Sequence, residues 1–443
     1  SSYGWLVSWF GTVSGGSTAV PLDAQLSCED ICELLVRSDT DIFCYDPRYE
    51  KMIPAVKANC PNVKEYIPFG ETLHGILAKT EPEELPDVPA DKLAAIVYTS
   101  GTTGKSKGVM LLNSNYIDNA MCQENESSPA DTVLSVLPIH HIYCFTCDIL
   151  LSLRYGATLC FNDSMMHIPQ NLKRFAPTIM LIVPMIAETM YKQIKAAAAQ
   201  KPEIPIAMIA QSVFGGRLKT IYSGGAYLRP ELQKAYIDMG FNMAQGYGMT
   251  ECSPRISTAD PADKECAGDV GVIVNGCEVK TVDGEILVKS PSVMAGYYKD
   301  EKATAEALTP DGWLRTGDLG YADENRKIFI TGRKKNLIIL SNGENVSPEE
   351  LENKFAGCDL IGDVLVYSDD SVITAEIFPF AEAAKALAAE ELEKKILEAV
   401  DGVNKTVSSA KAVRRVLLRD AEFEKTTSKK IKRNQPRLGK RIR

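Results

Sequence analysis

The sequence predicts an α/β fold in two unequal parts: a large N-terminal domain over residues 1–333, made of layered α/β/α subdomains plus a β-rich subdomain, and a small α+β domain over 334–443. Three changes of texture along the chain predict it. Between residues 93 and 248, apolar strand-like runs alternate with helical patterns. After Gly248, short strands separated by turn signals take over, and past Arg333 longer strands return with a charged amphipathic helix.

Taken in order, Leu6, Phe10 and Val13 stand at helical spacing and predict an opening helix. The run 94–98 is an apolar strand, and VLSVLP at 133–138, IMLIVP at 179–184 and KTIYSGG at 219–225 are buried strands by length and β-branched content. Residues 230–239 predict a helix with Pro230 in its first turn, Leu232, Ala235, Tyr236 and Met239 on one face, and Gly240 ending it. Ligands gather where the strands of such a sheet end, so YTSGTTG at 98–104 and YSGGAY at 222–227 are both expected there. GEILVKS at 284–290 and KIFITG at 327–332 are the strands of the β-rich part. In the small domain, VLVYS at 364–368, VITAEIF at 372–378 and VRRVLLRD at 413–420 read as strands, with a helix over 390–400 and a short hinge at 333–336.

With 45% hydrophobic and 24% charged residues among 443, the balance is that of a globular protein, and no apolar stretch is long enough to cross a bilayer. A soluble, cytoplasmic chain is expected. Its 12 cysteines are scattered without a dense framework, which fits thiols in a reducing compartment better than disulfides. Cys144 and Cys147 lie near His140 and His141, but no second ligand pair has zinc spacing, so packing is preferred to metal. The net charge of −9 conceals a polarity: residues 429–443 carry eight Lys or Arg and no acid, leaving −17 for the rest. No nucleic-acid partner is expected of so acidic a body; the tail reads as a solvated basic end or, more sharply, as a peripheral contact with an anionic ligand or membrane surface.

The stretch YTSGTTGKSKGV at 98–109 fails the phosphate-loop pattern, because Thr99 stands where the first glycine is required. Gly101 and Gly104 nevertheless allow a tight hydroxyl-lined loop after a strand, and backbone N–H groups with Lys105 or Lys107 would wrap a polyphosphate; the alternative is a surface turn. Four further stretches follow: QGYGMTE at 245–251, LRTGDLG at 314–320, GRKKNLIILSNGENVSPEELE at 332–352 and FEKTTSKKIKR at 423–433. Five motifs in this order, spread over residues 21–433, resemble the acyl-adenylate-forming superfamily of acyl-CoA synthetases, adenylation domains and luciferases. Within it, the last two motifs are most similar to bacterial long-chain fatty acyl-CoA synthetases.

The resemblance implies an AMP-forming acid–thiol ligase using ATP, Mg²⁺ and CoA, in which a carboxylate attacks the α-phosphorus of ATP and a thiol then displaces AMP. Preorganised cations and donors are what such charge-concentrating steps require. By the same resemblance Thr99, Ser100, Gly101, Thr102, Thr103, Gly104 and Lys107 cradle the β and γ phosphates. Thr250 bonds the α-phosphate, Glu251 holds Mg²⁺, Gln245, Gly246 and Tyr247 border the adenine, Asp318 accepts both ribose hydroxyls, and Arg333 donates to the ribose or phosphate. Lys430 is the catalytic lysine, with Lys429 second choice; Lys335 is the hinge about which a mobile small domain turns, and the loop 341–345 faces the thiol. His141 closes the acyl pocket, and Gly224, Gly225 and Ala226 let the substrates approach the backbone. Gly248 replaces a tryptophan common in acetate-specific members, which implies room for a medium or long chain. Family members carry several dozen residues ahead of this start, so the large domain is expected to lack its extreme N-terminus. Two other readings share these residues: an adenylate ligase loading a carrier-protein thiol, and a non-catalytic nucleotide-binding homologue.

Overall fold

The computed structural model of the chain describes residues 2–81, 83–99, 106–124, 127–265, 268–340, 345–356, 358, 360–370, 372–380, 384–385, 387–425 and 431–443. At its centre is a seven-stranded sheet. Thr158–Phe161, Thr132–Ser135, Ile179–Ile182, Thr220–Ser223 and Asn242–Gly248 lie side by side and parallel, and Arg255–Thr258 and Val272–Ile273 add an antiparallel edge. All four residues of Ile179–Ile182 are buried, as a parallel strand covered on both faces requires. On one side Phe214, Tyr236 and Phe241 pack beneath the helices Ile206–Val213 and Pro230–Asp238. A second core joins Trp9 of the opening helix Tyr3–Ser14 to Tyr116, Phe145, Ile149 and Ile256. Trp9 and Phe145 lie 4.2 Å apart between ring centroids, fixing the first helix to the segment after His141.

One expectation is corrected here. YTSGTTG does not leave the central parallel sheet: Leu93–Thr99 and Lys107–Leu112 form an antiparallel hairpin in a separate three-stranded sheet, completed by Gly296–Tyr297. An apolar run predicts a buried strand but carries no information about which sheet receives it. YSGGAY does follow a parallel strand, Thr220–Ser223, as expected.

The β-rich part is a four-stranded antiparallel sheet of Glu278–Val282, Glu285–Lys289, Leu314–Ala322 and Ile328–Arg333. Beyond the turn Lys334–Asn336 a separate core forms from Ile338, Leu351, Phe355, Ile396 and Val416. It lies among Pro348–Phe355, Ala389–Asn404 and the sheet Ile361–Asp369, Val372–Pro379, Arg415–Leu418 and Lys440–Arg441. The basic end is thus built into the fold rather than left as a solvated tail: its last strand pairs with Arg415–Leu418. Arg433 meets Glu352 at 2.5 Å and Glu349 at 3.1 Å, and Arg443 pairs with Asp401. Among the described residues no helix is long and apolar enough to cross a membrane.

Candidate active site

A cavity of about 1490 Å³ opens where the strands of the central sheet end, lined also by the hairpin, the β-rich sheet and the small domain. Thr99 and Lys107 face each other as the last and first residues of the hairpin strands and line it. Residues 100–105, including the expected phosphate ligands Ser100, Gly101, Thr102, Thr103 and Gly104, lie outside the described residues. The hairpin is anchored from behind, where the Arg37 guanidinium donates to the Ser106 carbonyl at 2.7 Å and lies over the Tyr98 ring.

Across the cavity, Thr250 and Glu251 sit in the short helical turn Thr250–Cys252, pinned by the buried Cys252 in the core. The Tyr297 hydroxyl donates to Glu251 Oε1 at 2.8 Å, and the same ring lies 4.6 Å from Lys107 Nζ. Tyr297 therefore joins an acid from one motif to a cation from another. Sequence reasoning missed it, since GYY in a two-residue strand has no distinctive spacing; its signal is the pairing Tyr297↔Val109, visible only once the sheet exists.

Tyr247, at the end of its strand, donates to Asp318 Oδ2 at 2.7 Å, while Arg333 Nε meets Asp318 Oδ1 at 2.7 Å. Burial and the adjacent Asp318 carboxylate push the Tyr247 phenol well above its ordinary pKa, so it remains a donor. Asp318 is 2% exposed, behind Tyr247 and Arg333 rather than on the cavity wall expected of a direct ribose acceptor. Next to it, the buried Glu285 accepts from the Gly317 N–H at 3.0 Å and meets Lys334 at 2.8 Å, tying the RTGD turn to the hinge. Lys335 lines the cavity; loss of water and the nearby Arg333 guanidinium lower its ammonium pKa.

Gly224, Gly225 and Gly246 also line the cavity. A Cβ on Gly224 would stand 3.0 Å from the Tyr143 ring, and Gly225 has φ +79°, so both positions require glycine. His141 lines the cavity and caps the following helix, its Nδ1 accepting from the Tyr143 N–H at 3.3 Å. Two expected residues are turned elsewhere. Gln245 donates to Gln233 Oε1 at 3.0 Å and to the Asp269 carbonyl at 3.3 Å, on the face covered by Pro230–Asp238. Ala226 borders an adjoining cavity of about 1240 Å³, alongside the opening helix. Gly248 lines the main cavity, but a Cβ there would stand 2.0 Å from the Pro254 carbonyl oxygen. Glycine is demanded by close backbone approach at a register shift, so it gives no measure of acyl room.

That room is provided elsewhere. Val133, Ile179, Leu181 and Tyr222 line the same cavity from adjacent parallel strands, and Tyr143, Cys147 and Leu151 line it from the helical segment after His141. From Gly224 at the strand ends to Ile179 is about 13 Å of strand, four residues at about 3.3 Å each. From the small domain, Glu422, Phe423, Lys425 and Lys432 reach the cavity wall. They flank residues 426–430, so Lys429 and Lys430 lie outside the described residues, as do 341–344 of the expected thiol-facing loop. The near ends of 426–430 are joined by the bridge Lys425↔Ile431, and Lys425 pairs with Asp363 at 2.7 Å.

Known proteins resemble the chain over most of its length. The long chain acyl-CoA synthetase 6, peroxisomal, of Arabidopsis thaliana is 31% identical over 71% of this chain and 51% of its own length. The chain spans about half the length of the first curated relatives it matches. The long-chain-fatty-acid–CoA ligase FadD15 of Mycobacterium bovis is 26% identical over 97% of this chain and 84% of its own. Among solved structures, the O-succinylbenzoate coenzyme A synthetase of Bacillus subtilis, in complex with ATP and a magnesium ion, is similar with a TM-score of 0.73 at 26% identity, covering 95% of this chain and 84% of that one. The family profile of the AMP-binding enzyme matches residues 1–298 and that of the AMP-binding enzyme C-terminal domain matches 335–437, so the chain belongs to the AMP-binding enzyme family.

Proposed function

We propose that the chain activates a carboxylic acid, with a medium- or long-chain fatty acid the best fit, by forming an acyl-adenylate from ATP and passing the acyl group to the thiol of CoA. The observation that carries this reading is the joining of two unlike surfaces in one cavity. Lys107, Glu251 and Arg333 stand at one end, and Val133, Leu151, Ile179 and Leu181 form an apolar channel leading away from it. The names of the fatty-acid ligases among its relatives support the same substrate class.

In the first half, a carboxylate oxygen bonds to the α-phosphorus and the bond to the β-phosphate oxygen breaks, its electron pair leaving with pyrophosphate. Lys107 and the loop 99–104 hold the departing phosphates, Thr250 donates to the α-phosphate, and Lys430 reaches both the carboxylate and the α-phosphate. Such fixed donors act where charge develops without having to reorganise. Tyr247, Gly224, Gly225 and Gly246 border the adenine, and Arg333 meets the ribose or phosphate, releasing Asp318 toward the ribose hydroxyls. A hard divalent cation fits Glu251, whose Oε1 is held by Tyr297 while its Oε2 has no hydrogen bond among the described residues. Mg²⁺ there would neutralise phosphate charge. In the second half, the small domain turns at Lys335, the CoA sulfur bonds to the acyl carbon, and AMP leaves. His141 stands at the entrance of the acyl channel, beside the carboxylate.

The test is pyrophosphate release from Mg-ATP with acetate, octanoate, palmitate and an aryl acid, each with and without CoA. Release with octanoate or palmitate, and acyl-CoA on adding CoA, is the expected result. Release without a CoA product moves the acceptor to a carrier-protein thiol. ATP binding with no acid-dependent release overturns the catalytic reading.

A further inference from the structure

Two carboxylates grip the turn Lys334–Asn336 from opposite sides. On one side stands Glu285 of the β-rich sheet, which is 4% exposed. Its Oε2 meets Lys334 Nζ at 2.8 Å while its Oε1 accepts from the Gly317 N–H at 3.0 Å. Arg333, one residue earlier, is pinned to the same sheet by Asp318. On the other side stands Glu349 of the helix Pro348–Phe355, whose Oε1 accepts from Asn336 Nδ2 at 2.5 Å. Lys335, between the two gripped residues, has no hydrogen bond or ion pair among the described residues.

Each carboxylate is itself fixed to its own side. The Glu349 oxygen that bonds Asn336 also meets Arg433 at 3.1 Å, and its Oε2 accepts from the Ser347 hydroxyl at 3.1 Å. Arg433 is held in turn by Glu352 at 2.5 Å and by the Val366 carbonyl at 3.1 Å. Asn336 therefore moves with the core that carries Arg433, three residues past Lys430. Lys334 stays with the sheet that carries Asp318 and the RTGD turn.

A rotation shared among several loose residues would multiply the orientations open to the small domain, and each would add to the entropy lost when it is ordered over the site. Hinges absorb large backbone changes in a few residues. We infer that Glu285 and Glu349 are positioning residues: they clamp the two neighbours of Lys335 to opposite bodies, so that the turn between the half-reactions is taken by the backbone of Lys335 alone. This rests on the two-step reading above and adds the residues that define the arc.

The experiment releases the clamps to rescue a blocked hinge. Lys335→Pro fixes φ at the one free residue. Thioester formation from supplied acyl-adenylate then needs rotation at Lys334 or Asn336, which must first break a bond to a carboxylate. Lys334→Ala or Asn336→Ala, each added to Lys335→Pro, should recover that half about tenfold, the scale of one such bond. Neither substitution should bring this gain beside the natural Lys335, where rotation leaves both clamps closed. A merely structural role would slow the proline variant further. Pyrophosphate release by each variant checks its fold. Should Lys335→Pro not fold, trypsin decides: Asn336→Ala, which keeps Arg333, Lys334 and Lys335, should be cut at the turn about tenfold faster than the unsubstituted protein, because local opening no longer breaks the Glu349 bond. Equal cutting there overturns the inference. Recovery by neither substitution, or an equal gain in both backgrounds, overturns it while leaving adenylation intact, and recovery by only one removes the other carboxylate from the assignment. No acid-dependent pyrophosphate release from the unsubstituted protein overturns the two-step reading and the inference together.

Discussion

At the phosphate end of the cavity, three acids are held by partners from other segments: Glu251 by Tyr297, Asp318 by Tyr247 and Arg333, Glu285 by the Gly317 N–H and Lys334. Further along the cavity, Val133, Leu151, Ile179 and Leu181 present an apolar wall with no charged group among them. The difference teaches what each end is for. A nucleotide always presents the same charges, so the protein can hold the acids of that end in place before it binds. An acyl group varies, and a wall of Val133, Ile179 and Leu181 takes it up by apolar burial rather than by fixed donors.

The largest expected effect breaks the phosphate end outright. Lys430→Ala should slow acyl-adenylate formation about 100-fold or more, the scale of removing one donor aimed at developing charge, and spare thioester formation from supplied acyl-adenylate. Single-turnover assays of each half separate the two, and an equal loss in both would remove Lys430 from the adenylation step. Lys335→Pro is the mirror experiment: proline in the turn Lys334–Asn336 restricts the backbone where the small domain must rotate. It should impair the thioester half selectively, and normal rates in both halves would place the hinge elsewhere.

A smaller change sharpens the comparison by leaving the acyl end alone. Tyr297→Phe deletes the hydroxyl that orients Glu251 but keeps the ring beside Lys107. Loss of one bond to a charged group is worth about 1.5–3 kcal/mol, so the Mg²⁺ concentration for half-maximal rate should rise about tenfold or more. The ranking of acids should not move. A shift in acid preference with unchanged Mg²⁺ dependence would mean that Tyr297 serves the channel instead.

The same contrast governs what was legible in the sequence. Thr250, Glu251, Tyr247 and Arg333 stand in contiguous motifs whose residue types carry their chemistry, and the structure brings all four to one cavity. Gln245 is in the same motif, but its amide is consumed by Gln233 on the covered face, which no spacing foretells. Tyr297 and Glu285 act through partners 46 and 49 residues away, so only the folded sheets reveal them. Val133, Ile179 and Leu181 were legible as buried strand residues and illegible as a channel wall, because a side chain facing a cavity and one facing a core obey the same period. The parallel sheet was readable from its apolar runs, whereas the separate hairpin sheet was not, since pairing partners are chosen by tertiary contact.

The smallest effect probes the buried helical segment beside the channel through protons. Burial raises the Asp148 carboxyl from 3.8 to about 7, with Cys144 Sγ 3.7 Å from its Oδ2 and the Tyr143 phenol also nearby. The folded protein therefore keeps a proton that the unfolded chain gives up at lower pH. Stability from this group is complete below 3.8 and is lost as pH rises toward about 7. Glu352, raised by burial from 4.5 to about 7 despite its bond to Arg433, adds a slope of the same sign in the small domain. Asp148→Asn removes only the first contribution. Thermal unfolding of both proteins between pH 5 and 8, a range chosen to span about 7, should show the wild type losing more of its Tm than the variant. Parallel curves would mean that Asp148 is ionised in the folded protein across this range, its charge met by a buried partner.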